Sequence, residues 1–103
     1  MDIKKMMQQA QELQKKMQKA QEELDDVEVV GSAGGAGYIV EVTMSGKGMI
    51  KKVSIADVLI DLEEKATLED LIVAASNNAK SKLDEVVGGK MAGLGIPSGL
   101  LGG

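Results

Sequence analysis

The sequence contains no cysteine, no histidine and no arginine, and each absence removes a class of function. Without cysteine there are no disulfides, thiolate metal sites or cysteine nucleophiles; without histidine the commonest general base and metal ligand is missing. Without arginine the chain lacks the bidentate contacts that read guanine edges. No activated nucleophile with its base is recognisable either. We therefore predict a protein that is not an enzyme, with no catalytic residue, no cofactor and no metal ion.

Aromatic residues and long apolar stretches are also scarce. Tyr38 is the only aromatic residue among the 103, so aliphatic side chains and methionine must build the core. A core of this size is small, and such domains often gain stability by oligomerisation. The longest strongly apolar run, residues 71–75, is far below the ~20 residues that span a bilayer, and the first residues do not resemble a signal peptide. We expect a soluble, cytoplasmic protein that does not contact membranes.

The sequence does contain a long amphipathic helix, predicted over residues 2–30. Apolar residues recur on it at alternating steps of three and four, the a/d pattern of a heptad repeat. We call these positions the apolar seam: Ile3, Met6, Ala10, Leu13, Met17, Ala20, Leu24 and Val27. A seam of this length exceeds what a small domain needs, and leaving it in water would be unfavourable. The pattern predicts that the helix packs against a partner.

Charge is sorted along the same helix. Residues 1–19 carry five lysines and two acids, a net charge of +3, whereas residues 20–30 carry five acids and no lysine, a net charge of −5. The five lysines lie away from the seam: Lys4, Lys5, Lys15, Lys16 and Lys19. A merely solvated helix face would look the same. The segregated acids, and the recurrence of lysine at Lys80 and Lys82 on the last helix, favour a surface that binds something negative.

The rest of the chain predicts a three-stranded antiparallel sheet and a second helix. Residues 38–44 and 49–55 alternate as strands around a turn at 45–48, and residues 28–33 offer a third strand that overlaps the predicted helix end. An apolar face at helical spacing runs over residues 68–86, until Gly88-Gly89 is predicted to stop the helix. The class is α+β, with one domain over residues 1–87 and a flexible glycine-rich tail over 88–103.

Two other patterns have simpler interpretations than chemistry. The glycine-rich stretch at residues 31–37 precedes a strand and has no Lys-Ser/Thr pair, so it is typical of a hairpin connection rather than of a phosphate-binding loop. The carboxylate pairs at residues 25–26, 63–64 and 84–85 have no convergent third ligand and indicate solvated surface.

Four segments of the chain match one known pattern. They are the Met/Gln/Lys-rich stretch at residues 6–24, Gly34-Gly35-Ala36-Gly37 leading into residues 40–48, residues 69–75 with Asn77, and Leu94-Gly95-Ile96-Pro97. Together they resemble the YbaB/EbfC family of small bacterial nucleoid-associated proteins. The resemblance implies a homodimer of α–β–β–β–α protomers with central sheets and long helices that project as arms. It also implies duplex DNA bound between the arms, and the residues that this assigns to DNA binding are Lys4, Lys5, Lys15, Lys16, Lys19, Lys80 and Lys82.

We therefore predict a nucleoid-associated protein of the cytoplasm and nucleoid that binds duplex DNA with low sequence specificity, in chromosome organisation or gene regulation. Lysine contacts to phosphates position a protein on DNA but read little sequence. No small-molecule substrate is expected. The alternative is a protein-interaction adaptor, whose first helix joins a foreign coiled coil and whose tail docks on a partner. The net charge of −4 and the absence of arginine favour that alternative.

Overall fold

The computed structural model describes residues 2–93, which form two helices and a three-stranded sheet. In chain order these are α1 (Ile3–Asp25), β1 (Glu28–Ala33), β2 (Val40–Ser45), β3 (Ile50–Ile55) and α2 (Lys65–Gly93). Two single 3-10 turns, Asp57–Leu59 and Leu62–Glu64, connect β3 to α2. The predicted α+β class and the order of the elements are confirmed.

Helix α1 begins where its first backbone amides find a partner. The Asp2 carboxylate accepts a hydrogen bond from the Lys4 amide at 3.1 Å, which makes Asp2 the N-cap. The helix ends at Asp25, so the prediction that it continues to residue 30 is wrong. Acids near its C-terminus oppose the helix dipole, and the β-branched Val29 and Val30 pair with β2 instead.

The sheet is antiparallel with strand order β1-β2-β3. Val29 pairs with Met44 and Val42 pairs with Val53, and a bulge interrupts the second ladder beside Met44. Alternation places one set of side chains under α2, and four of these are buried: Val29, Val40, Val42 and Met44. The predicted turn at residues 45–48 connects β2 to β3.

Small residues let α2 lie directly on β1. Ala75 and Ala79 are fully buried and face Gly31, where an added Cβ would lie 2.6 Å from the Cα of Ala79. Glycine at residue 31 is therefore required by the close approach of helix and strand. The main core is built around this contact, with Leu59 and Leu83 completing it.

The third strand is left largely uncovered, because α2 packs across β1 and β2. Val53 is 41% exposed although its partner across the ladder, Val42, is fully buried. Ile55 shares its face with Val53, as the alternation predicts, and is half-buried. One side of the sheet therefore carries apolar surface that α2 does not reach.

Helix α2 is longer than the sequence predicts. Gly88-Gly89 does not stop it, and it continues to Gly93, so the flexible tail predicted from residue 88 is wrong over residues 88–93. Each glycine costs a helix about 1 kcal/mol relative to alanine. Met91 offsets this cost because it is buried against Ala20 and Leu24 of α1, joined by Val87. The remainder of the predicted tail, residues 94–103, lies outside the described residues.

Candidate nucleic-acid interface

Helix α1 projects from the sheet as an arm. The molecule measures 69 × 19 × 18 Å, and its radius of gyration of 19.1 Å exceeds the ~13 Å of a compact domain of about 100 residues. Within α1 only Ala20 and Leu24 are buried, and both lie in its last two turns. We call residues 3–17 the outer arm and residues 18–28 the arm root.

The five lysines predicted on α1 all lie on one exposed face. At about 100° per residue, they fall within a sector of roughly 120° on the side away from the apolar seam. Glu12 is the one acid in that sector among residues 2–19. Lys4 and Lys19 are about 22 Å apart along the helix axis at 1.5 Å per residue. The structure therefore brings together Lys4, Lys5, Lys15, Lys16 and Lys19, and all five are exposed.

Ion pairing distinguishes these lysines from four of the seven others. Within residues 2–93 none of the five α1 lysines forms a salt bridge, whereas four lysines elsewhere do. The pairs are Lys47–Asp25, Lys51–Glu28, Lys65–Glu69 and Lys80–Asp84. Surface ion pairs are weak, but they reduce the charge that a lysine offers to another anion. Lys52 on β3 and Lys90 on α2 also form no salt bridge within residues 2–93, but the five lysines of α1 are the largest such group on one element.

The two α2 lysines of the predicted site occupy a different setting. The Lys80 ammonium lies 2.8 Å from the Asp84 carboxylate, one turn along the same helix. The Lys82 ammonium donates to the carbonyl of Val30 at 2.9 Å, and the nearby Asn78 side chain accepts from the Ser32 amide at 3.0 Å. These two contacts satisfy outward-facing backbone groups of β1, which protects this edge of the sheet from pairing with another strand.

Sequence reasoning overlooked Lys90. The sequence places this lysine in the predicted tail, whereas in the structure it lies on the last turns of α2. Its neighbour Met91 packs on the arm root, so Lys90 lies beside that region. It is half-buried and forms no salt bridge with another described residue. The Gly88-Gly89 pair predicts that the helix ends before this lysine, and no local pattern in the sequence indicates that the helix continues.

The arm root is acidic and tied to the hairpin between β2 and β3. Asp25 pairs with Lys47 at 2.9 Å, and Glu28 pairs with Lys51 across the sheet. Glu22, Glu23 and Asp26 have no salt-bridge partner among the residues described. The outer arm thus carries positive charge without salt bridges, whereas the arm root carries negative charge that salt bridges partly neutralise.

The apolar seam is used only at its inner end. Ala20 and Leu24 pack on α2, whereas the seam of the outer arm is open, with Ile3 71% exposed. Met6 and Leu13 are also exposed. The predicted helix partner is therefore α2, and it covers only the arm root.

Three further features of the described residues bear on other kinds of site. Within the described part of the chain, no group of three or more side chains is suited to hold a metal ion. Neither α1 nor α2, over the same residues, contains a stretch long and apolar enough to cross a membrane. A shallow apolar groove beside the 3-10 turns is lined by Leu59, Ile60, Leu62 and Leu68 and has few polar atoms that would orient a ligand.

The chain is similar to known proteins over nearly its whole length. The sequence model of the YbaB/EbfC DNA-binding family matches residues 1–98. A nucleoid-associated protein of Rhodospirillum rubrum is 45% identical over 103 residues, covering 96% of this chain and 94% of the relative. One from Afipia carboxidovorans is 48% identical over 100 residues, covering 93% of each chain.

The fold has a counterpart among crystal structures. An uncharacterized protein of Helicobacter pylori superposes with a TM-score of 0.76 at 21% identity, covering 91% of this chain and 97% of the other. That likeness concerns the fold alone. The sequence matches extend over nearly the whole chain, and they are to nucleoid-associated proteins rather than to enzymes. The predicted family is thereby confirmed, and the chain belongs to the YbaB/EbfC DNA-binding family.

Proposed function

We propose that the protein binds duplex DNA through the lysine face of α1, by contacts to backbone phosphates. The observation that carries this proposal is the contrast in ion pairing. The lysines of the outer arm and Lys19 are exposed without a carboxylate partner among residues 2–93, whereas four lysines on the rest of the fold are paired. A phosphate backbone supplies the missing counter-charge.

The size of the lysine face suits a duplex. Its length of about 22 Å is roughly two-thirds of a helical turn of DNA, which rises ~34 Å. Lysine is a point charge without the fork geometry of arginine, so the contacts set the position of the protein and not the sequence it binds. The proposed binding is therefore of low sequence specificity, suited to chromosome organisation or broad gene regulation in the nucleoid.

Lys80 and Lys82 are proposed as secondary contacts. Their ammonium groups already have partners in Asp84 and the Val30 carbonyl. The Lys80–Asp84 pair is exposed and opens readily, whereas Lys82 would have to leave a backbone carbonyl of β1 to reach a phosphate. The larger share of the affinity is accordingly assigned to α1.

The proposal is tested by fluorescence anisotropy of a labelled mixed-sequence duplex at about 50 mM and about 200 mM salt. Five phosphate contacts predict a log–log salt slope of about −4 to −5. An unlabelled duplex of unrelated sequence should compete equally well. If no binding occurs even at the lower salt, phosphate binding by the arm is wrong.

We further propose that the protein is a homodimer joined through the uncovered side of the sheet. Val53 and Ile50 lie on the same face as the buried side chains of β2, yet both are exposed in the single chain. Leu62, in the second 3-10 turn, is a further exposed apolar side chain, 92% exposed. Burying such side chains is worth roughly 1.5–3 kcal/mol each, and a two-fold axis would bring the same patch of two chains together.

The dimer is tested by sedimentation equilibrium. The wild-type mass should be twice the 10.8 kDa of one chain. Val53→Glu should give monomers, because it places a charge in the proposed contact. Val73→Glu is the matched control, since Val73 is exposed on α2, away from β3. Equal masses for Val53→Glu and the wild type would rule out this interface.

The second candidate function, a protein-interaction adaptor, is favoured by the open seam of the outer arm. Ile3, Met6 and Leu13 are exposed at heptad spacing, as in a helix that pairs with another helix. A stoichiometric protein partner captured from nuclease-treated lysate, and lost in a Met6→Gln/Leu13→Gln variant, would favour this function over DNA binding. Capture that is unchanged by the variant would count against it.

A further inference from the structure

We propose that Gly46 is the positioning residue of the α1 arm: its missing side chain lets the turn between β2 and β3 close on Leu24 and so sets the direction in which the lysine face points. This inference rests on the proposed DNA binding by that face. It concerns a residue that contacts no DNA and acts only through the arm.

The contact between Gly46 and the arm root is made by backbone atoms on both sides. An added Cβ on Gly46 would overlap the carbonyl oxygen of Leu24 and would lie 2.9 Å from its carbonyl carbon and 3.1 Å from its Cα. Carbon atoms in ordinary contact are about 3.5–4.0 Å apart. Because the contacted atoms are backbone, no side-chain rotation can relieve the overlap, and the helix end and the turn must move apart.

Two polar contacts join the same two segments, and a third stabilises the arm root where they meet. The Gly46 amide donates to the carbonyl of Val27 at 3.0 Å, and the Val27 amide donates to the carbonyl of Leu24 at 3.2 Å. The Lys47 ammonium pairs with Asp25 at 2.9 Å. The arm root is therefore fixed to the hairpin by neighbouring contacts at Gly46 and Lys47.

A second attachment makes the arm a lever. Met91 of α2 packs against both Ala20 and Leu24, and its flexible side chain can follow a shift of Leu24. Ala20 lies four residues from Leu24, about 6 Å along the axis. Lys4 lies sixteen residues on the other side of Ala20, about 24 Å away. A displacement of about 1 Å at Leu24, enough to admit a methyl group, therefore moves the outer end by about 4 Å if the helix pivots at Ala20. A shift of that size exceeds the length of a hydrogen bond.

The direction of the arm sets where the lysine face lies relative to Lys80 and Lys82 on α2 and, in the proposed homodimer, relative to the lysine face of the second chain. One duplex can contact these surfaces together only when the two arms point in matching directions. Gly46→Ala changes no charged residue, so a change in DNA affinity would report a change in geometry and not in charge. We expect roughly tenfold weaker binding at about 50 mM salt. The log–log salt slope should be less steep by about one to two, the equivalent of losing one or two phosphate contacts.

Arm direction is measured independently of DNA by spin labels. Because the chain has no cysteine, Gln8→Cys/Ser81→Cys labels one site on the outer arm and one on α2. Doubly labelled protein is diluted into unlabelled protein, so that the distance within one chain is recorded by pulsed electron paramagnetic resonance. Gly35→Ala is the matched control, since a Cβ at Gly35 meets nothing within 4 Å.

The proposal expects Gly46→Ala to shift the label distance by roughly 3 Å and to weaken DNA binding, while Gly35→Ala changes neither. An unchanged distance, or a shifted distance with wild-type affinity and salt slope, would overturn it. Absence of DNA binding by the wild type would instead overturn the proposed function, and the label distance would still report on the contact. If Gly46→Ala does not fold, Asp25→Asn removes the adjacent ion pair, and a broadened label distance with weaker DNA binding is then the expected result.

Discussion

The outer arm and the arm root are consecutive parts of the chain, but they differ in burial, charge and ion pairing. Residues 3–17 are exposed almost throughout and carry lysines without salt-bridge partners among residues 2–93. The root buries Ala20 and Leu24, carries acids, and is tied to the hairpin by Lys47 and by Gly46. The same apolar periodicity thus runs through both parts, although the outer arm has a surface available for binding and the arm root makes structural contacts.

This contrast shows that an amphipathic pattern does not by itself say where burial occurs. The seam has the same spacing from Ile3 to Leu24, yet only its inner end meets α2. By comparison, the last lysine of α1 is Lys19, the cluster of acids begins at Glu22, and the buried contacts with α2 begin between them, at Ala20. Charge is the better guide to the boundary between the two regions.

Reversing charge on the outer arm and its border should have the largest effect. Lys15→Glu/Lys16→Glu/Lys19→Glu should weaken duplex binding by more than about 100-fold at 50 mM salt, since three phosphate contacts are replaced by repulsion. Anisotropy measures the affinity, and sedimentation checks that the mass is unchanged. Lys51→Glu/Lys65→Glu, which reverses two paired lysines outside the proposed DNA contacts, is the control and should retain most of the binding. Equal losses in both variants would contradict the proposed division.

Removing the side chain that joins the two helices should cost stability at the root. Met91→Ala should lower the free energy of unfolding by about 2 kcal/mol, because Met91 is buried against Ala20 and Leu24. Hydrogen exchange should show the loss concentrated in residues 18–25 and 87–93. Met49→Ala is a matched exposed control with an expected effect below about 0.5 kcal/mol. Uniform loss of protection throughout the sheet would mean that the root is not a separate unit.

Filling the space between β1 and α2 should destabilise the core without touching the arm. Gly31→Ala should lower stability by about 1–3 kcal/mol, because its Cβ would meet the backbone of Ala75 and Ala79. In a domain of this size that corresponds to a fall in melting temperature of roughly 4–8 °C per kcal/mol. The folded protein should keep its DNA affinity, so a parallel loss of affinity would argue against independent regions.

The smallest effect is expected where a lysine is already paired. Lys80→Gln should change DNA affinity by less than about twofold and stability by less than about 0.5 kcal/mol, since the Lys80–Asp84 pair is exposed on α2. Lys16→Gln on α1 is the comparison and should reduce the salt slope by about one. A larger slope change for Lys80→Gln than for Lys16→Gln would reverse the proposed ranking of the two helices.

The sequence correctly predicted the parts of the fold that depend on local pattern. Period-2 alternation and turn residues identified β2, the turn at 45–48 and β3, and heptad spacing identified α1. Residues 28–30 are predicted both as the end of the helix and as the start of a strand, and in the structure they form the strand β1. They do so because they pair with β2, a contact between distant residues that helical periodicity cannot predict.

By itself, the sequence determined the α+β order, the family and the face of α1 on which the lysines lie, because spacing and residue type act over a few neighbouring positions. Only the tertiary structure decided that α2 continues past Gly88-Gly89, that Lys82 closes the edge of β1 and that Lys90 lies beside the arm root. Each of these depends on a contact between residues more than fifty positions apart or on burial against another element. Local propensity cannot encode such contacts, since their energy exists only once the chain has packed.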